Sequence, residues 1–509
     1  MTPSTVARRR DACGSALPTM NLLAAACAAG ILALGLAPPA SAQTDTPGTL
    51  CAFNRAGIWI DEEANAASYL DRFDLQYERG PWLIGARLEY DEETRLDPEL
   101  FTGIRRRFAE YRGTLADLRV GTFYATFGRG LLLRAEEDEI VRLDRDIDGA
   151  RGVVRWNRLT GQAVFGRPRH DETHERDDLL SGLELRAALA PGLSAGGGYV
   201  RRDASRAENG GLGTARLGEP VEELAGGSLQ FSRGIFDGVV EWARRYLWGM
   251  RGLNEGWVGI DERGHALYGA FTFSLPGYAW LIEGKHYQDF AAPYSTLPPA
   301  NAAGQPINNG RDERGIGLTL TANRDDLVIE SAWSWADAER ANEPGRRYSA
   351  EGRVRRDWWG RGALAIGGDW VREVELESHA LRAYHGPRVE ASYYLTPTAS
   401  LELHGKAYAW ENQVRGSLLQ DYNEVVVDLS LSIGDARGAT LSVIHASEPV
   451  AEYDFADTWV ALELAWAFSS TEELKIKVGD ERGGIVCSGG VCHYEPPFSG
   501  VRAELVSRF

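Results

Sequence analysis

The feature that most constrains this chain is an alternation of side chains that recurs from about residue 66 to the C-terminus. Segments of roughly ten residues alternate apolar and polar side chains, and a tight turn or a longer polar loop follows each one. In residues 424–433, for example, mostly polar residues separate Val425, Val427, Leu429, Leu431 and Ile433. Successive side chains of a strand point to opposite faces, so one face of such a sheet is apolar and the other is charged.

A sheet with these two faces suits a closed barrel whose outer face meets lipid and whose inner face meets water. Counting the segments predicts an all-β fold, a single antiparallel transmembrane β-barrel of about 22 strands, within a range of roughly 20 to 24. A barrel of this width cannot be filled by its own side chains, so any constriction has to come from loops that fold inward. Short turns are predicted around Gly80, Gly192, Gly234, Gly277, Asp325, Pro397, Gly434 and Ser470.

The N-terminus has the features of an export signal. Three arginines at positions 8–10 precede an apolar stretch over residues 22–36, and Ala40-Ser41-Ala42 matches a cleavage site. We therefore predict a signal peptide over residues 1–42, with an uncleaved anchor helix as the alternative. Residues 43–65 are predicted to form a periplasmic segment or an extra strand, and residues 66–509 the barrel.

The net charge limits the possible binding partners, and the cysteines indicate where a disulfide could form. The formal net charge of −18 disfavours nucleic acid as a partner. Export permits disulfides, and the pair predicted to form one is Cys487 with Cys492, across Ser488-Gly489-Gly490-Val491. Cys51 is left over and is expected to be free.

The last ten residues also alternate, and they end on Phe509. This tail resembles the C-terminal strand that the barrel-assembly machinery recognises in outer-membrane barrels, although Ser507 departs from the usual hydrophobic residue. Location in the outer membrane follows, with outer-membrane lipid, lipopolysaccharide and the assembly machinery as partners. Aromatic residues near strand ends, among them Trp82, Trp242 and Trp459, predict interfacial girdles.

Residues 119–149 differ from the rest of the chain. They contain the apolar run Leu131-Leu132-Leu133, followed by the acidic run Glu136-Glu137-Asp138-Glu139. An apolar loop at a barrel mouth is unfavourable in water, so we predict that this stretch folds inward as a constriction element. A surface hairpin is the alternative.

The same stretch carries the spacing that opens a calcium loop, because Asp144, Asp146 and Asp148 precede Gly149. The glutamate expected at the twelfth position is replaced by Arg155, which excludes an EF-hand. A looser calcium site is one interpretation. The other is an acidic loop whose carboxylates pair with Arg142, Arg145 and Arg151.

Motifs of catalysis are absent from the sequence. No nucleophile elbow, P-loop or zinc-protease motif occurs, and no cofactor other than calcium is predicted. His170 and His174 flank acidic residues, but they lie in a predicted loop rather than on a helix that could hold a metal. The chain is therefore not expected to be an enzyme.

Two stretches, residues 119–149 and the tail GGIVCSGGVCHYEPPFSGVRAELVSRF (residues 483–509), resemble an uncharacterised family of bacterial outer-membrane porin-like β-barrels. The resemblance extends over most of the mature chain. It implies the location and the fold, and it brings no substrate and no catalytic residue.

The first functional hypothesis is a channel for small hydrophilic solutes with a charged lumen. The alternatives are a loop-plugged scaffold or receptor that binds another cell-envelope component, and a barrel enzyme acting on lipid or peptide. The residues predicted to line the pore are Arg87, Arg119, Arg151, Arg155, Glu184, Arg186, Glu241, Glu283, Lys285, Lys406, Lys475 and Lys477.

Overall fold

The computed structural model describes the chain from residue 48 onward, with short gaps. The described residues are 48–61, 66–92, 101–141, 143–169, 176, 178–203, 221–250, 257–290, 292–298, 312–338, 345–358, 360–375, 380–413, 420–434, 436–450, 456–488, 491–495 and 497–509. The predicted signal peptide (residues 1–42) lies outside this part of the chain. The described residues contain no helix that could span a membrane.

Thirty strands make up the regular structure of the described residues. They are β1 (Thr49–Asp61), β2 (Ala66–Arg79), β3 (Trp82–Glu92), β4 (Phe101–Arg112), β5 (Ala116–Phe123), β6 (Ala125–Phe127), β7 (Leu133–Ala135), β8 (Glu137–Asp138), β9 (Leu143–Asp144), β10 (Ile147–Trp156), β11 (Leu159–Pro168), β12 (Leu179–Ala190), β13 (Leu193–Asp203), β14 (Val221–Arg233), β15 (Phe236–Met250), β16 (Trp257–Leu275), β17 (Tyr278–Gln288), β18 (Arg314–Arg324), β19 (Leu327–Ala338), β20 (Gly345–Asp357), β21 (Gly362–Glu375), β22 (Leu381–Thr396), β23 (Ala399–Gln413), β24 (Gln420–Ile433), β25 (Arg437–Val450), β26 (Ala456–Ala467), β27 (Glu472–Glu481), β28 (Gly484–Ser488), β29 (Val491–Glu495) and β30 (Phe498–Arg508).

Twenty-four of these strands form one closed antiparallel sheet. Each strand pairs with the next in the order β1–β5, β10–β27 and β30, and β30 then pairs with β1 to complete the ring. The all-β barrel predicted from the alternation is therefore confirmed, with a strand count at the upper end of the predicted range. Most of the segment 43–65 that the sequence left open belongs to β1, which pairs with β2 and β30 along its length.

Short turns join strands at one end of the barrel, and the longer connections lie at the other. The predicted short turns all fall between consecutive strands. The sequence analysis missed the turns between β4 and β5, between β10 and β11, and between β20 and β21. In the second of these Asn157 adopts φ of 53°, a left-handed conformation that asparagine tolerates better than most residues.

The outer face is apolar. Leu429, Leu441, Leu462 and Val478 stand directly opposite one another across four neighbouring strands. Each is 39–48% exposed, so this row of side chains has no protein layer over it. A continuous exposed apolar face of this kind is typical of contact with lipid. Trp459 departs from the predicted girdle, because alternation in β26 turns it to the inner face, where it is 5% exposed.

Candidate functional site

The connection between β5 and β10 folds into the barrel. Phe123 ends β5, Ile147 begins β10, and the two are direct partners in the sheet. The chain between them, residues 124–146 with residue 142 outside the description, is called the internal segment below. It contains two small hairpins, β6–β7 and β8–β9.

An apolar cluster holds the first part of the internal segment against the inner wall. Phe127, Leu131 and Leu133 are fully buried. The inward side chains of β10–β17 that pack with them include Val164, Leu180, Val200, Leu224, Val239, Ala266 and Tyr287. Each fully buried side chain of this size contributes about 1.5–3 kcal/mol relative to exposure. The predicted inward folding of the stretch is thus confirmed, and a surface hairpin is excluded.

Two features of the wall allow this close contact. A Cβ at Gly182 would lie 2.8 Å from Cε2 of Phe127, and one at Gly198 would lie 2.8 Å from Cδ1 of Leu132. Glycine at these inward positions therefore makes room for the internal segment.

Two wall carboxylates fix the tip of the segment. The backbone N–H of Gly128 donates to Oε1 of Glu184 at 2.7 Å. The N–H of Arg129 donates to both carboxylate oxygens of Glu241, at 3.0 and 3.2 Å. Both glutamates are almost fully buried, so they act as anchors for the backbone of the segment.

A second loop after β17, residues 289–298 with residue 291 outside the description, covers the internal segment. The N–H of Arg134 donates to the carbonyl of Tyr294 at 2.7 Å, and the N–H of Thr296 donates to that of Gly130 at 3.0 Å. The Tyr294 hydroxyl donates to Asp178 at 3.0 Å. The two segments together cover the inner face of β10–β17.

The acidic end of the internal segment lies on four arginines, one near the middle of each of β1–β4. We call Arg55, Arg72, Arg87 and Arg106 the arginine ladder. Arg55 is the direct partner of Arg72, and Arg87 that of Arg106. Like charges placed directly opposite one another destabilise a sheet, so this arrangement needs anions close by.

The internal segment supplies those anions. Glu137 lies 2.6 and 2.9 Å from two nitrogens of Arg106 and 2.8 Å from Arg87. Glu139 lies 2.8 Å from Arg55 and 3.3 Å from Arg72. Every arginine of the ladder therefore contacts a carboxylate of the internal segment.

Arginines also set the ionisation of these acids. Burial alone would raise the pKa of Asp144, but Arg106 and Arg169 lower it to about 2. Burial would also raise the pKa of Glu137, but the hydrogen bonds and charges of Arg106 and Arg87 together outweigh it and lower this pKa. The pKa of Asp146 is raised, chiefly by burial, against the opposing effect of Arg169. Glu137 and Asp144 are thus ionised at neutral pH.

The aspartates of the predicted calcium spacing bind arginine side chains. Arg169 lies 2.7 Å from Asp144 and 3.1 Å from Asp146, and Arg176 lies 2.6 Å from Asp146. Asp148 lies 3.6 Å from Arg107. The ion-paired acidic loop is therefore present, and the partners seen in the described residues include Arg107, Arg169 and Arg176, whereas Arg142 lies outside the described residues. No group of three His, Cys, Asp or Glu residues in the described part of the chain is arranged to hold a metal. Calcium binding stays a prediction.

The twelve residues predicted to line the pore fall into two sets. Exposed apolar residues occupy the outer face of the same strands, so the alternation of side chains places all twelve on the inner face. Glu184, Glu241 and Lys285 are covered, and Lys285 pairs with Glu313. Side chains that remain partly exposed include Arg155, Lys475 and Lys477, each close to a carboxylate. Their role in a pore stays a prediction.

Three further predictions concern cysteines and histidines, some of which lie outside the described residues. Cys487 and Cys492 are direct partners in the β28–β29 hairpin, but their side chains lie outside the described part, so the disulfide stays a prediction. Cys51 is a free, exposed thiol. His170 and His174 lie outside the described residues.

Sequence reasoning missed Arg55, Arg72 and Arg106. The arginines of the ladder are far apart in sequence, and each looks like one more charged residue on an inward face. The available signal was the coincidence of an arginine near the centre of four consecutive strands. The sheet register brings the four side chains together.

Together these features define the class: a closed 24-stranded β-barrel with an apolar outer face and a loop folded into its lumen. Residues 56–304 and 457–509, more than half of the chain, match the family described as "Family of unknown function (DUF6029)", and the chain belongs to that family. This match confirms the predicted membership of an uncharacterised family. No curated protein matches the chain at a significant level.

Solved structures of other barrels are similar to the chain only at low scores. The P pilus usher translocation pore PapC is 12% identical over 90% of this chain and 98% of its own, with a TM-score of 0.46. The siderophore receptor PirA from Pseudomonas aeruginosa is 9% identical over 90% and 80%, with a TM-score of 0.47. OccK5 (OpdH) from Pseudomonas aeruginosa is 13% identical over 67% and 96%, with a TM-score of 0.38. At these scores, none of the three indicates an activity for this chain.

Proposed function

We propose that the chain is an outer-membrane channel through which small hydrophilic solutes diffuse along a charged lumen. The observation that supports this proposal is the inner face of β18–β27, which the internal segment leaves uncovered. Six ionised side chains of this face are 29–45% exposed and carry both signs. They are Glu330, Glu351, Glu390, Glu463, Lys475 and Lys477. Ionised groups that are not buried in protein require water around them, so this half of the lumen is expected to be hydrated.

In this proposal the internal segment sets the width of the path. It lies against β10–β17 through apolar contacts and against β1–β4 through ion pairs, and the second loop packs on it. Solutes would pass between the segment and the inner face of β18–β27. The mixed charge of that face does not by itself select cations or anions.

The same covering of the lumen favours a second candidate, a loop-plugged scaffold or receptor that binds another cell-envelope component. In that case the internal segment would close the path in the resting protein, and the uncovered charges would lie in a blind water-filled pocket. We further propose that the chain is not an enzyme, and we expect a serine-reactive probe to leave the folded barrel unlabelled.

Single-channel currents in a planar bilayer separate the two candidates. Because Phe123 and Ile147 are direct partners, a two-residue Asn-Gly turn can replace residues 124–146 without altering the barrel strands. Discrete current steps from the wild-type barrel, and larger steps from this variant, are expected of a channel. Folding of both proteins would be verified by heat-modifiable mobility in gels.

The remaining outcomes are distinct. A silent wild-type barrel with a conducting variant would support the plugged scaffold or receptor. If both folded proteins were silent, the channel proposal would be wrong.

A further inference from the structure

We propose that the arginine ladder and the cavity beside it bind solutes that carry two carboxylate groups. This inference rests on the proposed channel function and names a class of solute that the channel would bind at the edge of its path, where the side chain of Glu139 is exposed. In the structure the two carboxylates of Glu137 and Glu139 occupy the ladder, and a dicarboxylate would take their place.

The ladder already has the geometry that recognises carboxylates. Arg106 holds Glu137 with two of its nitrogens, at 2.6 and 2.9 Å, in the paired arrangement that suits a planar carboxylate. Arg87 adds a third contact to the same group at 2.8 Å. Glu139 lies between Arg55 and Arg72. Four guanidinium groups therefore hold two carboxylates from one short stretch of chain.

The charged side chains of the barrel wall have an excess of positive charge near the ladder, which those two carboxylates balance. Without the internal segment, Arg55 keeps Glu504 at 2.7 Å and Arg87 keeps Asp74 at 2.8 Å. Arg72 shares Glu89 with Arg105, at 3.2 and 3.3 Å. Arg106 has no described carboxylate partner on the wall, since its contacts are Glu137 and Asp144. The wall by itself is thus positively charged, and it requires anions that the internal segment now provides.

The site is reachable and has space for a small ligand. The side chain of Glu139 is 57% exposed, whereas that of Glu137 is 22% exposed, so water reaches the Arg55–Arg72 end first. A cavity of about 430 Å³ adjoins the other end, a size within the range of small-molecule sites. Its lining includes Arg87, Arg106, Arg112, Arg119 and Tyr124. A dicarboxylate could enter by displacing Glu139 and then Glu137.

The test is calorimetric titration of sodium succinate into the folded mature barrel in detergent, with sodium acetate at equal ionic strength as the comparison. We expect succinate to bind and acetate to bind at least tenfold more weakly. The double variant Glu137→Gln and Glu139→Gln removes the competing charges and is expected to bind succinate about tenfold more tightly than wild type. Arg55→Gln with Arg72→Gln is expected to lose binding.

A matched control is Arg353→Gln, because Arg353 is also an inner-face arginine with a side chain 26% exposed, as in Arg55. This variant should bind succinate like wild type. The proposal would be overturned if the Glu137→Gln, Glu139→Gln variant bound succinate no more tightly than wild type. It would also be overturned if the Arg55→Gln, Arg72→Gln variant bound succinate as well as wild type. The single variant Glu139→Gln, whose change is at an exposed side chain, gives the same comparison if the double variant does not fold.

Failure of this inference can be told apart from failure of the channel proposal. Titration does not depend on conduction, whereas bilayer currents in chloride salts do not depend on succinate. A barrel that conducts but shows no ladder-dependent succinate binding would support the channel proposal and contradict the proposed dicarboxylate site. In a conducting barrel, succinate added to the bath is expected to reduce the current of wild type and not that of the Arg55→Gln, Arg72→Gln variant.

Discussion

At the scale of single residues, buried charges on the inner wall act on the backbone of the internal segment. Glu184 and Glu241 accept hydrogen bonds from Gly128 and Arg129, and both carboxylates are covered by the segment. A buried N–H that loses its acceptor costs about 1–3 kcal/mol. These glutamates are therefore expected to control how firmly the segment is held.

Replacing Glu241 by alanine removes both acceptors of the Arg129 N–H. We expect the free energy of unfolding to fall by about 1–3 kcal/mol, measured by urea titration, and the single-channel conductance to rise because the segment loosens. Glu402→Ala is a suitable control, since Glu402 is an exposed residue of β23. Equal behaviour of the two variants would show that Glu241 is not an anchor.

Gly182→Ala tests the close approach of the segment to the wall. The new Cβ would lie 2.8 Å from Cε2 of the fully buried Phe127, so the aromatic ring has to move. Overpacking of this kind is expected to lower the free energy of unfolding by about 1–3 kcal/mol. The midpoint of a urea unfolding curve would measure this change. The segment is expected to shift away from β12.

Gly284→Ala is the matched control, because nothing lies within 4 Å of a Cβ at Gly284. It should leave stability and conductance unchanged. A Gly182→Ala barrel with wild-type stability and conductance would contradict the packing described for Phe127.

At the scale of elements, two kinds of interaction hold the internal segment. The β6–β7 part packs into the apolar cluster on β10–β17, an attachment that salt and pH affect little. The β8–β9 hairpin is held on β1–β4 by ion pairs, which are sensitive to both. The hairpin is therefore the part expected to move first.

Acidification should release the hairpin within a defined range of pH. Arg106 and Arg169, against the effect of burial, lower the pKa of Asp144 from its ordinary 3.8 to about 2. A carboxylate with a lowered pKa stabilises the docked state above its ordinary pKa, and this contribution is lost as pH falls through the lowered value. The pKa of Glu137 is lowered as well.

We therefore expect single-channel conductance to change between about pH 4 and 2, as the hairpin is released. A variant with Glu137→Gln and Asp144→Asn should lack this transition. A transition in wild type near pH 6 would point to a different titrating group.

At the scale of the whole molecule, the two ends of the described chain close the barrel. β30 pairs with β1 from Arg508 to Gly500. Beyond the last pair, the backbones of Ala52 and Phe509 exchange two hydrogen bonds, at 2.8 and 3.0 Å. The side chain of Phe509 takes no part in these bonds and is 71% exposed.

Phe509→Ala separates closure of the barrel from its assembly in cells. Because closure uses the backbone, we expect the free energy of unfolding to change by less than about 0.5 kcal/mol. If the terminal aromatic side chain is the signal for the assembly machinery, the amount of folded barrel in the membrane fraction should fall. Unchanged assembly with unchanged stability would rule out that role, and Ser507→Ala serves as the control in the same strand.

Local chemistry made much of the fold predictable. Alternation in residues 424–433 and around Lys475 and Lys477 identified strands with one apolar and one charged face, and β24 and β27 have those faces. Turns with Gly or Pro, as at Gly277, were found from composition. The turn at Asn157 was missed because a single asparagine between two alternating segments does not distinguish a turn from a continuing strand.

The candidate site was predictable only in part. Leu131-Leu132-Leu133 indicated an inward fold, because three adjacent leucines would be costly in water. Neither the glycines that accept the segment nor the arginines that hold its acidic end could be assigned to it from spacing alone, since their contacts run across several strands.

The sequence by itself determined that the chain forms a barrel and which face of each strand is apolar, because both follow from a repeat of two residues along the strand. Only the tertiary structure decided which inward charges meet water and which lie under the internal segment. That distinction depends on the register of 24 strands around the ring, and on a loop between β5 and β10 that contacts β1–β4 on one side and β10–β17 on the other. Contacts between distant strands have no period along the chain, so no local pattern of residues encodes them.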